Sequence, residues 1–275
     1  LGQARPSPKV SRRIALLESR RLYLHRHSLA FHFRQKKNRI RERPSRNWLA
    51  LPVEPSRSEH QMLEHDHLYP ENAQDGDPLI VALHGRGSDK GDLIGLARHL
   101  PPDALLVAPR APFPGAQWGY GNGWAWYQFL GGTTPSPETF VGGQAALADF
   151  MKRLPGELPI KPGKTIIGGF SQGGSTSLAY AALNPGAVVG VFVLSGLVVS
   201  NPAMQAAMGN LKGVPIFWGH GTHDPMIPFA TAQTGEAAVR AAGADLTAFD
   251  YPMTHTISPQ ELDDLRAWLD AIVAS

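Results

Sequence analysis

Four short stretches of this chain hold residue types that can act together. Thr165-Ile166-Ile167-Gly168-Gly169-Phe170-Ser171-Gln172-Gly173-Gly174 runs from an apolar segment through the pattern G-x-S-x-G into small residues. A serine held on a sharp turn from strand to helix exposes its hydroxyl, so Ser171 is read as a nucleophile. Glycines two before and two after are needed because a Cβ there would collide with the neighbouring strand or helix. The competing reading is a glycine-rich turn with an incidental serine. A hydroxyl attacks poorly until a base removes its proton, and the base needs a carboxylate to fix its tautomer and stabilise the imidazolium. On such an elbow the partners follow in the order Asp or Glu, then His.

Downstream of Ser171 the histidines are His220, His223 and His255. His220 and His223 share a loop with Asp224 and come too early in that order. His255 stands in the turn behind an apolar strand and ahead of the last helix, where a base is free to move, and it is assigned that role. Asp224, in His220-Gly221-Thr222-His223-Asp224-Pro225, is assigned the carboxylate. Three alternatives stay open. Asp224 is a turn former and Asp250 supplies the carboxylate; His255 is an exposed loop residue; or His220, His223 and Asp224 form a metal site.

A developing oxyanion needs two main-chain N–H donors. Gln172, directly after the nucleophile, supplies one, and the turn His84-Gly85-Arg86-Gly87 supplies the other through the N–H of Arg86. The Arg86 side chain is expected to point elsewhere, and His84 to hydrogen-bond within that turn. From Arg110 to Pro135 there is little regular pattern but many Gly, Pro and aromatic residues, among them Tyr120 and Phe129. A long loop of this kind is commonly a lid or binding loop. Trp118, Trp124, Trp126 and Tyr127 are its candidate apolar wall for the substrate.

These residues need a scaffold that brings them to one edge. Short apolar runs at Pro78–Leu83, Ala104–Ala108, Thr165–Gly168, Val188–Leu194, Val214–Trp218 and Leu246–Tyr251 read as strands. Helices are expected over Leu93–Leu100, from Pro137 behind a Ser136 cap to about Leu154, over Gly174–Leu183, and around Phe229–Ala242. The last one starts at Ser258-Pro259-Gln260-Glu261, a capping box, and runs to about Ala274. Strands separated by helices imply an α/β fold, a mostly parallel sheet covered on both faces, with the chemistry at the carboxyl ends of the strands.

Composition narrows the classes. The chain has 275 residues, is 43% apolar and 18% charged, and contains no cysteine, which excludes a disulfide framework, a Cys nucleophile and thiolate metal sites. Nothing in it reads as a membrane span. Its net charge of +3 hides an asymmetry: residues 1–60 carry 15 Lys and Arg against 4 Asp and Glu, and the other 215 have a net charge of −8. Nucleic acid is therefore not an expected partner of the body. Residues 1–61 are read as a basic extension, with residues 62–275 as the catalytic domain. The extension fits an organelle transit peptide, a basic arm for RNA or lipid headgroups, a disordered tail, or a segment foreign to the native protein. The last is preferred, because Met62 is the first methionine and lies where the charge changes sign. The matching expectation is that a chain starting at Met62 folds and is fully active.

The motifs Leu83-His84-Gly85-Arg86-Gly87-Ser88-Asp89, Pro109-Arg110-Ala111-Pro112, Gly168 to Gly174, His220 to Pro225 and Tyr251-Pro252-Met253-Thr254-His255 occur in this order. In that combination the body resembles the phospholipase/carboxylesterase family of α/β-hydrolases, which includes the acyl-protein thioesterases. The resemblance implies an α/β-hydrolase fold, a triad of Ser171, Asp224 and His255, and an oxyanion hole at Arg86 and Gln172. It implies no metal and no cofactor, a cytoplasmic location, a small-molecule ester as substrate, and hydrolysis of short- to medium-chain carboxylic esters through an acylated Ser171. Thioesters or lysophospholipids are the alternative for the same triad. A basic-arm RNA- or membrane-binding protein with a dormant hydrolase domain is the alternative of another class. A monomer or weak homodimer is expected. Acyl-protein thioesterases usually carry Leu at the place of Arg86 and have a shorter, less tryptophan-rich loop after Pro109-Arg110. Both departures favour a small soluble ester over a protein-borne acyl group.

Overall fold

The computed structural model describes residues 62–275. The readings made for residues 1–61 lie outside the described residues. In chain order the strands are β1 (His65–Leu68), β2 (Leu79–Leu83), β3 (Leu105–Pro109), β4 (Phe113–Pro114), β5 (Trp124–Ala125), β6 (Phe129–Gly131), β7 (Thr134–Pro135), β8 (Thr165–Phe170), β9 (Gly190–Leu194), β10 (Pro215–Gly221) and β11 (Asp245–Tyr251). The helices are α1 (Pro137–Arg153), α2 (Gln172–Leu183), α3 (Pro202–Ala207), α4 (Phe229–Ala241) and α5 (Pro259–Ala274).

Seven strands form one sheet in the order β1-β3-β2-β8-β9-β10-β11. Every neighbouring pair is parallel except β1 with β3. The strand order turns around at β2 and β8, and this is where an open α/β sheet leaves a crevice beyond its strand ends.

Successive side chains of β2 point to opposite faces, so its unbroken apolar run supplies two cores at once. Leu79, Val81 and Leu83 pack with Phe140, Leu147 and Phe150 of α1 and Leu178 of α2. Ile80 and Ala82 join Phe192 of β9 and Leu265, Trp268 and Leu269 of α5 on the other face. Each fully buried Leu or Phe contributes about 1.5–3 kcal/mol. The caps written in the sequence are made. Ser136 Oγ accepts from the Thr139 N–H at 3.4 Å, while Ser258 Oγ accepts from the Glu261 N–H at 3.1 Å and the Glu261 carboxylate accepts from the Ser258 N–H.

Three local features depart from expectation. Leu93–Leu100 forms a 3-10 turn over Ile94–His99 instead of an α-helix, because Gly95 weakens it and Pro101-Pro102 closes it off after six residues. The edge strand β1 has no apolar alternation; it is defined by pairing with β3, His65 opposite Pro109 and Leu68 opposite Leu106. The aromatic loop folds into two small two-stranded sheets, β4 with β5 and β6 with β7.

Candidate active site

The turn between β8 and α2 puts Ser171 at φ 54°, ψ −117°, a left-handed backbone conformation for a residue with a side chain. Such strain costs on the order of 1–3 kcal/mol and persists only where neighbours fix it. Here the Ser171 N–H donates to the Leu194 carbonyl at 2.7 Å, and the Ser171 carbonyl accepts from Ser175 N–H and Ser175 Oγ, each at 3.1 Å. The flanking glycines are sterically required. A Cβ on Gly169 would stand 2.1 Å from the Leu83 carbonyl oxygen, and one on Gly173 would stand 1.9 Å from it.

Two loops behind strand ends complete the line. His255, beyond β11, has Nε2 2.9 Å from Ser171 Oγ and Nδ1 2.7 Å from Asp224 Oδ2. Asp224, beyond β10, accepts at Oδ1 from the N–H groups of Met226 at 2.8 Å and Ile227 at 2.9 Å. Burial by itself would raise the Asp224 pKa. The hydrogen bonds from Ile227, His255 and Met226 outweigh it and hold the carboxylate below its usual range. With its side chain fully buried, Asp224 is an ionised acceptor fixed at both oxygens. Asp250, the alternative carboxylate, lies exposed on β11, and the bond to His255 is made by Asp224.

His223 does not join this line, and His220 stands behind it, with Nε2 3.4 Å from Asp224 Oδ2. His220 Nε2 donates to the Ile227 carbonyl at 2.9 Å, its Nδ1 is buried without a partner, and burial lowers its pKa. His223 pairs with the neighbouring Thr222 hydroxyl at 3.1 Å. Among the described residues no three His, Asp or Glu side chains converge as a metal site would require.

On the other side of Ser171 runs the turn after β2. His84 Nε2 accepts from the Ala111 N–H at 3.0 Å, so Nδ1 carries the proton and donates to the Gly85 carbonyl at 2.8 Å. Burial lowers the pKa of His84 and keeps it neutral in this role. A Cβ on Gly85 would touch Ser171 Cβ at 3.6 Å, so this turn passes directly against the serine. Among the described residues the N–H groups of Arg86 and Gln172 have no hydrogen-bond partner, which leaves two main-chain donors free beside Ser171. The turn is itself braced: Arg110 grips Asp89 through Nε at 2.7 Å and Nη2 at 3.0 Å.

A cavity of about 640 Å³ opens over Ser171 and His255. One wall comes from the aromatic loop, with Tyr120, Phe129 and Leu130, and the facing wall from Leu197, Met226 and Ile227. The four aromatic residues expected to line the pocket do not. Trp126 and Tyr127 are fully buried. Trp126 Nε1 donates to the His84 carbonyl at 3.0 Å, and Tyr127 packs edge-on against Phe129 and Phe140. Trp124 lies under the Arg110 guanidinium, and Trp118 against Phe113 and Tyr120. For Trp126 and Tyr127 the cause is the Gln172 side chain, a role the sequence did not suggest. Its Oε1 accepts from the Trp126 N–H at 2.9 Å and its Nε2 donates to the Tyr127 carbonyl at 2.8 Å, pulling this pair down onto α2. The Arg86 side chain, expected to point away, lines the cavity with its guanidinium 4.6 Å over the Tyr120 ring.

The model of the phospholipase/carboxylesterase family matches residues 70–273, a span that contains every strand of the main sheet except the edge strand β1, the elbow and both loops. The chain belongs to the phospholipase/carboxylesterase family. As a member it is a carboxylic ester hydrolase with an α/β-hydrolase fold. It is 26% identical over 231 residues to acyl-protein thioesterase 1 of Cryptococcus neoformans, covering 75% of this chain and 96% of the relative. A probable SOBER1-like carboxylesterase of Arabidopsis thaliana is 35% identical over 112 residues, 40% of this chain and 43% of that protein. Among solved structures, esterase PE8 matches with a TM-score of 0.67 and 27% identity, covering 77% of this chain and all of that one, 100%. The Zea mays acyl-protein thioesterase 2, at 22% identity and a TM-score of 0.62 over 76% of this chain and 99% of its own, shares the fold. Among the described residues no helix is long and apolar enough to cross a membrane.

Proposed function

We propose that residues 62–275 act as a serine carboxylesterase that hydrolyses short- to medium-chain carboxylic esters through an acyl-enzyme on Ser171. The observation that carries the reading is the unbroken line Ser171–His255–Asp224, with contacts of 2.9 and 2.7 Å, at the floor of a cavity with apolar walls. Ser171 Oγ attacks the ester carbonyl carbon while its proton passes to His255 Nε2. The carbonyl oxygen, now negative, takes the N–H groups of Arg86 and Gln172, and each such donor is worth about 3 kcal/mol at the transition state. The bond to the alcohol oxygen breaks as His255 returns the proton to it. Water then attacks the acylated serine, gives a proton to His255, and releases the acid as Ser171 Oγ recovers its hydrogen. Asp224 keeps His255 in the tautomer that presents a bare Nε2 to the serine.

A thioester would follow the same route, and the thioesterase relative from Cryptococcus neoformans, covered over 96% of its length, favours keeping that second reading. The test is hydrolysis of matched oxygen esters and thioesters of rising chain length by the wild type and by Ser171→Ala. The oxygen esters of short and medium chain are expected to turn over fastest, with a loss of at least about a thousandfold in the variant. A Ser171→Ala protein that keeps most of its activity overturns the assignment, and a preference for thioesters selects the second reading.

A further inference from the structure

The cavity carries a charge that ester hydrolysis does not require. Among the described residues Arg86 is the one Lys, Arg, Asp or Glu in its lining, which otherwise consists of apolar side chains, hydroxyls, glycines, Gln172 and His255. Among the described residues the Arg86 guanidinium has no carboxylate partner and donates no hydrogen bond. It is nonetheless held in place. Its Cζ lies 4.6 Å from the centre of the Tyr120 ring and 5.7 Å from that of Phe129. Tyr120 is fixed in turn, because its hydroxyl accepts from the Phe129 N–H at 2.9 Å. Stacking on a ring engages the face of a guanidinium and leaves its five in-plane donors available. Arg86 is exposed to solvent at the cavity wall, where water partly screens its charge, and what it offers a ligand is a planar fork of donors that matches a carboxylate.

Building on the esterase reading above, we propose that Arg86 selects esters that carry a carboxylate a few bonds from the scissile carbonyl. The spacing follows from the residue itself. Its main-chain N–H stands beside Ser171 and its guanidinium stands in the cavity wall, so one side chain sets the distance from oxyanion to anion. A half-ester of a short dicarboxylic acid, or the ester of a short hydroxy acid, has this form, and a plain alkyl ester does not.

The experiment compares kcat/KM for monoethyl glutarate and for ethyl hexanoate, followed by proton release, in the wild type, Arg86→Gln and Arg86→Lys. A second pair moves the carboxylate to the alcohol side, the butanoyl ester of 4-hydroxybutanoate against pentyl butanoate. Any general damage to the oxyanion turn affects both members of a pair and cancels in their ratio. The anionic-to-neutral ratio is expected to fall about tenfold to a hundredfold in Arg86→Gln in at least one pair, mainly through KM. Lys at this position is expected to restore part of it, and added salt to lower it in the wild type. Ratios that stay within twofold of wild type in both pairs overturn the proposal while leaving the Ser171 reading intact. If the wild type hydrolyses none of the four esters, both readings fall.

Discussion

The α-carbon of Gly173 lies so close to β2 that a Cβ on it would come within 1.9 Å of the carbonyl oxygen of Leu83. The start of α2 is thereby pressed against the strand that leads into the His84–Gly87 turn, and the serine and the turn occupy one corner. Gly173→Ala must push α2 away from that strand, and a loss of more than about 3 kcal/mol in folding stability is expected. Gly186→Ala is the control. Gly186 has φ +80° but nothing within 4 Å of its Cβ position, so only the backbone cost of about 1 kcal/mol applies. Urea unfolding of the two variants beside the wild type measures the difference. Equal losses would contradict it.

Asp224→Asn is expected to keep the fold and lose roughly ten-thousand-fold in kcat. An asparagine oxygen can still accept from the Met226 and Ile227 N–H groups, which turns its amide N–H toward His255 Nδ1. That nitrogen must then be bare, the proton moves to Nε2, and the ring no longer takes a proton from Ser171. Asp250→Asn, on the exposed part of β11, is expected to change kcat less than threefold. The reverse ranking in steady-state assays would give the carboxylate role to Asp250.

Glu261 makes stability depend on pH. Its carboxyl is fully buried against Gly219, one oxygen has no partner, and burial pushes its pKa from 4.5 up to about 8. The folded state therefore holds a proton that the unfolded state releases near pH 4.5. The sign follows from linkage: this contribution is full below pH 4.5, declines as pH rises, and is lost by about pH 8. Glu261→Gln mimics the protonated form, so its unfolding free energy is expected to decline less between pH 5 and pH 8 than that of the wild type. Parallel curves in urea unfolding across that window would show that Glu261 is not the group responsible.

The parts of the site that were legible in the sequence are those where local chemistry dictates local structure. An apolar run ending in G-x-S-x-G has one compact outcome, and the Ser136 and Ser258 caps are read from residues three apart. Chain order then separated His255 from His220 and His223, and the structure brings His255 and Asp224 to Ser171. The family match accords with the fold that these elements implied. What was illegible depends on distant partners. The burial of Trp126 and Tyr127 is decided by the side chain of Gln172, some 45 residues away. The direction of Arg86 is decided by the ring of Tyr120, and β1 exists through its register with β3 rather than through any pattern in His65-Asp66-His67-Leu68. In the loop from Arg110 to Pro135 aromatic residues crowd together without a period, so sequence offers no sign of which rings face the cavity. Tyr120 and Phe129 do; the tryptophans do not.

The most direct test of the central claim is labelling of the whole protein with a fluorophosphonate, followed by peptide mass spectrometry and a parallel ester assay. The account predicts one phosphonyl group per chain, on Ser171, with activity falling in proportion to labelling. Continued hydrolysis by fully exposed-to-probe protein whose Ser171 stays unmodified, or full inactivation through another residue, would contradict it.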